Sequence, residues 1–273
     1  MRDTCEEVST LTAARRPTQV SLRLSLGQAS MFHVKHSTTH YPLSAHSILT
    51  VLSSAGLSVD ERQAQQLADN AEAVLAANQT VNLTRIVDPL SFLHLHIVDS
   101  LMPMTLVSLE GLRVLDVGSG AGFPGLPLAV MGLDVTCCEA RRKKADVISS
   151  IASQIGVDVR VVPQRAEELS VTGEVWDAVI MRAVSSLSSL VELAAPLLAS
   201  DGVLLAMKGL RQVDEEARAV TVCGLVGMRL REVHEYRLPA GEETRTLYLY
   251  ERVGEAKVSL PRRSGLAQTQ PLA

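Results

Sequence analysis

Aromatic side chains are scarce in this chain, at 3% of 273 residues, with one Trp, four Tyr and three Phe. A surface that reads single strands by stacking many bases needs more of them, so any stacking here rests on very few residues. The four cysteines (Cys5, Cys137, Cys138 and Cys223) show no C-x-x-C spacing, which excludes a zinc ribbon and a disulfide framework and suits reduced, buried thiols. No apolar run approaches the roughly 20 residues of a membrane span. The arginines near the start are followed by no signal-peptide core, so a cytoplasmic protein is expected. Excess positive charge is also missing: the formal net charge is −4. A nucleic-acid partner would therefore be met by a local basic patch. What the chain does have is apolar content, 47%, enough for a sizeable core.

Four segments are expected. Residues 1–42 are rich in Ser, Thr and Arg without a sustained period and read as a disordered tail, in which Met31 offers an alternative translation start. Residues 43–110 read as a helical extension. It holds a helix over 44–55, a second helix behind Ser58-Val-Asp-Glu61 read as a capping box, and a third opened by Asp88-Pro89 and stopped before Pro103. Residues 111–253 alternate strands (113–117, 134–138, 157–162, 177–181, 203–207) with helices (124–131, 141–155, 186–198). That is the pattern of a doubly wound, Rossmann-like parallel α/β sheet. Two last strands, 229–237 and 244–252, joined through Pro239-Ala-Gly241, make an antiparallel hairpin. Residues 254–273 read as a tail.

The most informative stretch is Arg113-Val-Leu-Asp-Val-Gly-Ser-Gly-Ala-Gly-Phe-Pro-Gly-Leu-Pro127, a strand, a glycine-dense turn and a helix start. Gly120-Ala-Gly122-Phe-Pro-Gly125 formally matches the dinucleotide fingerprint. In such a site backbone N–H groups and a helix start meet a pyrophosphate, and Asp116, placed at the mouth of the loop, would repel that anion. S-adenosylmethionine carries no phosphate, and its methionine end is cationic, so the carboxylate favours it. Gly118 and Gly120 then serve the tight turn and close backbone approach. Glu139, at the end of the next strand, can accept hydrogen bonds from both hydroxyls of a ribose, which the two cofactors share.

Further polar residues fall at the carboxyl ends of predicted strands, where open α/β sheets place ligands: Gln164-Arg165-Ala166-Glu167, Arg182-Ala183-Val184 and Lys208-Gly209. In the helical lead-in stand Asn82-Leu-Thr84 and His96-Ile-Val-Asp99-Ser100. Together with the glycine loop and its Phe-Pro-Gly-Leu-Pro continuation, these blocks resemble the bacterial 16S rRNA guanine-N7 methyltransferase family (glucose-inhibited division protein B). The likeness runs from about Ser44 to Tyr250. It implies a class I methyltransferase fold with an N-terminal helical extension and S-adenosylmethionine as methyl donor. The acceptor it implies is one guanine in the 530-loop of small-subunit rRNA. It also implies cofactor contacts from Gly118, Phe123, Ala166, Glu167 and Arg182. Where family members often carry aromatics before the Asn-Leu-Thr block, this chain reads Ala77-Asn-Gln-Thr-Val81.

The chemistry agrees with that expectation. Guanine N7 has an in-plane lone pair and no proton to lose, so its methylation needs in-line positioning and no general base. After the fourth strand the chain has no Asn/Asp-Pro-Pro-Tyr/Phe motif, the device used for exocyclic amines. No cysteine stands where C5-methylation needs a nucleophile. N7 is shielded in the deep groove of an A-form helix, so a looped-out base is expected. Asn82, Arg165, Arg182 and Lys208 are expected to position the RNA. Arg141-Arg-Lys-Lys144 is either an RNA-phosphate contact or a solvated helix face. His96 and Asp99, three apart on one helix face, are expected to tie the extension to the core or to line the cleft, and no metal site is expected. The expected partner is 16S rRNA or the small ribosomal subunit, with the protein a monomer and no membrane involved. Three alternatives stand beside this reading. They are a small-molecule methyltransferase, an NAD-dependent oxidoreductase using the formal fingerprint, and a cofactor-binding assembly factor without turnover.

Overall fold

The computed structural model describes residues 43–239 and 243–273. The expected disordered tail with Cys5 and Met31, and the tip of the last hairpin, lie outside the described residues.

The extension begins with α1 (Ala45–Ser54), capped by the Ser44 side chain, and α2 (Glu61–Asn78). The cap of α2 is Asp60, not Ser58. Asp60 accepts from the Gln63 N–H, and the Gln63 side chain returns the bond to the Asp60 N–H. Both pairs satisfy a capping pattern, but the later start puts Gln63 Nε2 on the carbonyl of Val130 and Gln66 Nε2 on that of Ile155. Ala64, Leu67, Ala68, Ala71 and Val74 of α2 are buried. A helical run follows: α3 (Pro89–Phe92, capped by Asp88), a π-helical stretch Leu93–Val98, α4 (Asp99–Leu101) and α5 (Pro103–Leu106). Pro103 was expected to end this run. It opens one more turn instead, since a first-turn residue needs no N–H.

The core is a seven-stranded sheet. Its strands are β1 (Arg113–Val117), β2 (Asp134–Cys138), β3 (Arg160–Val162), β4 (Trp176–Arg182), β5 (Leu198–Lys208), β6 (Met228–Arg237) and β7 (Thr244–Arg252). They lie in the order β3-β2-β1-β4-β5-β7-β6. The first five are parallel, and β7 is antiparallel to β5 and β6. This is the class I methyltransferase arrangement, with the expected hairpin inserted so that β7 lies inside β6. The helices α6 (Gly125–Val130), α7 (Arg142–Ile155), α8 (Ala166–Ser170), α9 (Leu187–Ala194) and α10 (Val213–Val226) cover the sheet. Two apolar clusters, one on each face, make the core. The strand order reverses between β1 and β4, with β2 and β3 laid down on one side of β1 and β4 and β5 on the other, and a ligand belongs at the carboxyl ends of the strands at such a switch point.

Residues 254–273 are not a free tail. They lie against the domain through α11 (Leu266–Thr269) and a buried Ala267. Among the described residues no helix is long and apolar enough to cross a membrane.

Candidate functional site

The glycine loop follows β1 and precedes α6. Gly118, Gly120 and Gly122 have φ of 78°, 60° and 94°, a region that favours glycine. A Cβ on Gly118 would lie 2.8 Å from Val184 Cγ2, so the loop presses on the segment after β4. Glu139 holds the loop from the next strand: its Oε2 accepts from the Gly120 N–H at 2.9 Å and its Oε1 from the Arg141 N–H at 2.8 Å. A carboxylate has about four acceptor positions, so ribose hydroxyls can still be received there.

Asp116 is placed differently from the expectation. It is fully buried beneath the loop, not at its mouth, because it is an inward residue of a strand packed under α6. Oδ2 accepts from the Gly125 N–H at 2.9 Å, while Oδ1 is buried without a hydrogen-bond partner. Burial raises its pKa to about 7, against the lowering effect of Ser119, Gly125 and the Arg182 charge. Where it is ionised, the unpaired acceptor under the loop disfavours a nearby phosphate and favours a cationic group, so the residues present still fit the methionine end of S-adenosylmethionine.

Arg182, at the end of β4, is the hub of a buried cluster. Its Nη1 donates to the Leu95 carbonyl at 3.0 Å and to Asp99 Oδ2 at 3.1 Å, and Nη2 lies 3.3 Å from His96 Nδ1. Asp99 Oδ1 also accepts from the Tyr236 hydroxyl, and the Arg245 guanidinium stands 3.6 Å away. The helical run, β4 and the hairpin therefore meet on one carboxylate. His96 and Asp99 tie the extension to the core and also line the cleft beside it. Burial and the Arg182 charge lower the His96 pKa to about 3, so the imidazole is neutral. Arginine can only donate, so Nδ1 accepts and Nε2 carries the proton, donating to Thr84 Oγ1 at 2.8 Å. The His96 ring stacks on Phe123 (centroids 4.7 Å apart, planes 9° apart), and the Arg182 guanidinium stands 5.7 Å from the Phe123 ring centre.

The other expected site residues divide. Lys208 Nζ donates to the Ser185 carbonyl at 3.0 Å and to Glu215 Oε1 at 2.9 Å, while still facing the cleft. Asn82 and Arg165 are exposed. Ala166 is buried at the start of α8, and the Glu167 side chain is taken by the Gly265 N–H at 2.7 Å. Within the basic run Arg141, Arg142 and Lys143 are exposed, and Arg142 pairs with Asp146. Sequence reasoning missed Asn78. Its Oδ1 accepts from the Leu83 and Thr84 N–H groups and its Nδ2 donates to the Thr84 carbonyl, folding the Asn-Leu-Thr connector. The departure from the family's aromatics stands in that very segment.

Where β4 and β5 end against the helical run there is a cavity of about 380 Å³, lined by His96, Asp99, Arg182, Ala183, Lys208 and Arg245 among others. Ala183 has φ of 56°, a left-handed conformation costly for a residue with a Cβ, and it lines the cavity next to Val184, which faces the loop at Gly118. A larger cavity, about 480 Å³, lies at the opposite ends of β2 and β3 and is remote from these groups. No group of three His, Cys, Asp or Glu suited to a metal occurs among the described residues.

Comparison with known proteins points the same way. The family of rRNA small subunit methyltransferase G (GidB) matches residues 63–244. The ribosomal RNA small subunit methyltransferase G of Deinococcus radiodurans is 37% identical over 216 residues, 76% of this chain and 85% of that protein. The protein of the same name from Roseiflexus castenholzii is 36% identical over 231 residues, 82% of this chain and 98% of its own length. That from Pelotomaculum thermopropionicum is 32% identical over 224 residues, 80% and 94%. With its glycine loop, the Arg182 cluster and this likeness along most of its length, the chain belongs to the rRNA small subunit methyltransferase G (GidB) family.

Proposed function

We propose that this protein transfers the methyl group of S-adenosylmethionine to N7 of one guanine in the 530-loop of 16S rRNA, acting as a monomer in the cytoplasm. The observation that carries the reading is the cavity beside the glycine loop. Among the described residues it is lined by cations and by no free base. His96 is neutral with both ring nitrogens engaged, and the Asp99 carboxylate is spent on Arg182, Tyr236 and Arg245. An exocyclic amine or a hydroxyl would need a proton acceptor there; N7 does not.

Bound at the loop, S-adenosylmethionine supplies a sulfonium methyl, which the N7 lone pair takes while the electrons of the C–S bond remain on sulfur. The protein's contribution is position. Gly118 and Gly120 allow close backbone approach, Glu139 receives the ribose hydroxyls, and Phe123 with Ala166 and Glu167 bounds the cofactor cleft. The Arg182 fork is fixed by three acceptors, so it can offer a donor to guanine O6 but has little freedom to swing onto N7 and block it. Lys208 bounds the far side of the cavity, and Asn82 and Arg165 take flanking RNA. Asp99 and Glu215 already neutralise Arg182 and Lys208, so the purine, which becomes cationic on methylation, is not repelled.

The test is methyl incorporation from labelled donor into small ribosomal subunits lacking the modification, with mass spectrometry of the rRNA. One new N7-methylguanine in the 530-loop is the expected product. Label in another base, or none in rRNA, refutes the assignment.

A further inference from the structure

Residues 254–273 are bound to the two helices that follow β3 and β4, and they are bound through buried carboxylates. Arg262 makes a two-pronged pair with Glu192 of α9, Nε to Oε1 at 2.6 Å and Nη2 to Oε2 at 2.7 Å, and the Glu192 side chain is 2% exposed. The Leu272 N–H adds a third bond to the same carboxylate at 3.2 Å. Upstream, the Lys257 N–H donates to the Leu225 carbonyl at 2.7 Å. Between these anchors Gly265 turns with φ of 84° and gives its N–H to Glu167 Oε1 at 2.7 Å. The segment thus spans α9 and α8 and ends its reach on the first turn of α8.

That first turn matters because of where it stands. The sheet order places β3 outside β2. With Glu139 at the end of β2 receiving the ribose and the methionine end at the loop after β1, the group beyond the ribose, the adenine, would lie over the end of β3. Residues 162–167 form that edge. The Gln164 N–H and the Glu139 N–H both bond the Val162 carbonyl, and Cys138 Sγ donates to the Gln164 carbonyl. What fixes α8 therefore fixes the adenine wall. α8 itself is five residues long, too short to hold its own position.

We propose that residues 254–273 are a strap that positions the adenine wall through the Gly265–Glu167 bond, so that cofactor affinity depends on it while the methyl-transfer step does not. The inference rests on the cofactor orientation given under the proposed function. Arg262, Glu192 and Gly265 are positioning residues, since none of them touches the reacting atoms.

The test is calorimetric titration of S-adenosylmethionine and S-adenosylhomocysteine into the full chain and into Gly265→Val and Gly265→Ala. A Cβ at Gly265 meets nothing within 4 Å. The substitutions therefore disturb the backbone turn and its N–H without a clash, and they leave the Arg262–Glu192 anchor in place. Loss of a hydrogen bond to a charged group predicts a Kd for both ligands raised about tenfold in Gly265→Val. The effect in Gly265→Ala should be smaller and of the same sign. The kcat at saturating donor and the KM for ribosomal subunits should stay within about twofold. A folded Gly265→Val or Gly265→Ala with unchanged affinity overturns the strap, as does a fall in kcat with Kd unmoved. Should the unaltered chain bind neither ligand, the cofactor reading fails, a result distinct from failure of the strap.

Discussion

Arg182 Nη1 lies 3.1 Å from Asp99 Oδ2, with the two side chains 13% and 6% exposed, and this pair joins the end of β4 to the helical run before the core. Removing one member of a buried pair leaves the other charge without compensation. Asp99→Ala is expected to destabilise the protein by about 3–5 kcal/mol. Asp99→Asn keeps an acceptor for Arg182 and should cost clearly less. Urea unfolding of both variants checks this; equal, small shifts would show that the pair contributes little.

Arg182→Lys keeps the charge and loses the fork. A lysine cannot satisfy Leu95, Asp99 and His96 from one planar group. Misplacement at a reacting centre costs on the order of 100-fold in rate, so a kcat lowered by that order on ribosomal subunits is expected. The readout is single-turnover methyl transfer. Retention of the full rate in Arg182→Lys would reduce Arg182 to a point charge.

The sheet was legible in the sequence because period, turn glycines and strand spacing are local signals. Strands 113–117, 134–138 and 244–252 stand as expected. β3 is shorter than its apolar run, since only Arg160–Val162 finds a partner on β2. β5 begins earlier than expected, at Leu198, where a bulge lets it pair with Trp176. The site was legible as a set of residues and illegible as a network. Glu139 with Gly120, Arg182 with Asp99, and Glu167 with Gly265 are pairs far apart in sequence that only the fold brings together. The depth of Asp116 was missed for the same reason: a carboxylate inside a strand reads as a ligand group, and only the packing of α6 shows that it is covered. The docking of residues 254–273 was not legible because a segment fixed largely by ion pairs and backbone bonds, with only scattered apolar contacts, carries no apolar period.

The crossing of α6 over β1 leaves no room at Gly125. A Cβ there would overlap Cys137 Sγ and stand 2.8 Å from Asp116 Oδ2. Gly125→Ala must push α6 away from the sheet and stretch the Gly125–Asp116 bond, an overpacking cost of about 1–3 kcal/mol. Thermal unfolding should show that loss together with weakened binding of S-adenosylmethionine. Gly132→Ala, with open space at its Cβ but φ of 89°, is the control for backbone strain alone and should leave binding unchanged.

Two buried titratable groups beside the loop, His96 and Asp116, act on stability in opposite directions. His96 has its pKa lowered from 6.5 to about 3 in the folded protein. Between those values the unfolded chain holds the extra proton, so this contribution is present above pH 6.5 and is lost as pH falls toward 3. Asp116 has its pKa raised from 3.8 to about 7. In that window the folded protein holds the extra proton, so the contribution is present below pH 3.8 and is lost as pH rises through 7. One proton of difference tilts stability by about 1.4 kcal/mol per pH unit. Across pH 4 to 6.5 the two tilts offset each other. Asp116→Asn should uncover a stability that rises with pH over this range, and His96→Gln one that falls. Denaturant unfolding of the three proteins at pH 4.5, 5.5 and 6.5 measures the slopes. Parallel lines for all three would mean that neither group titrates as its burial demands.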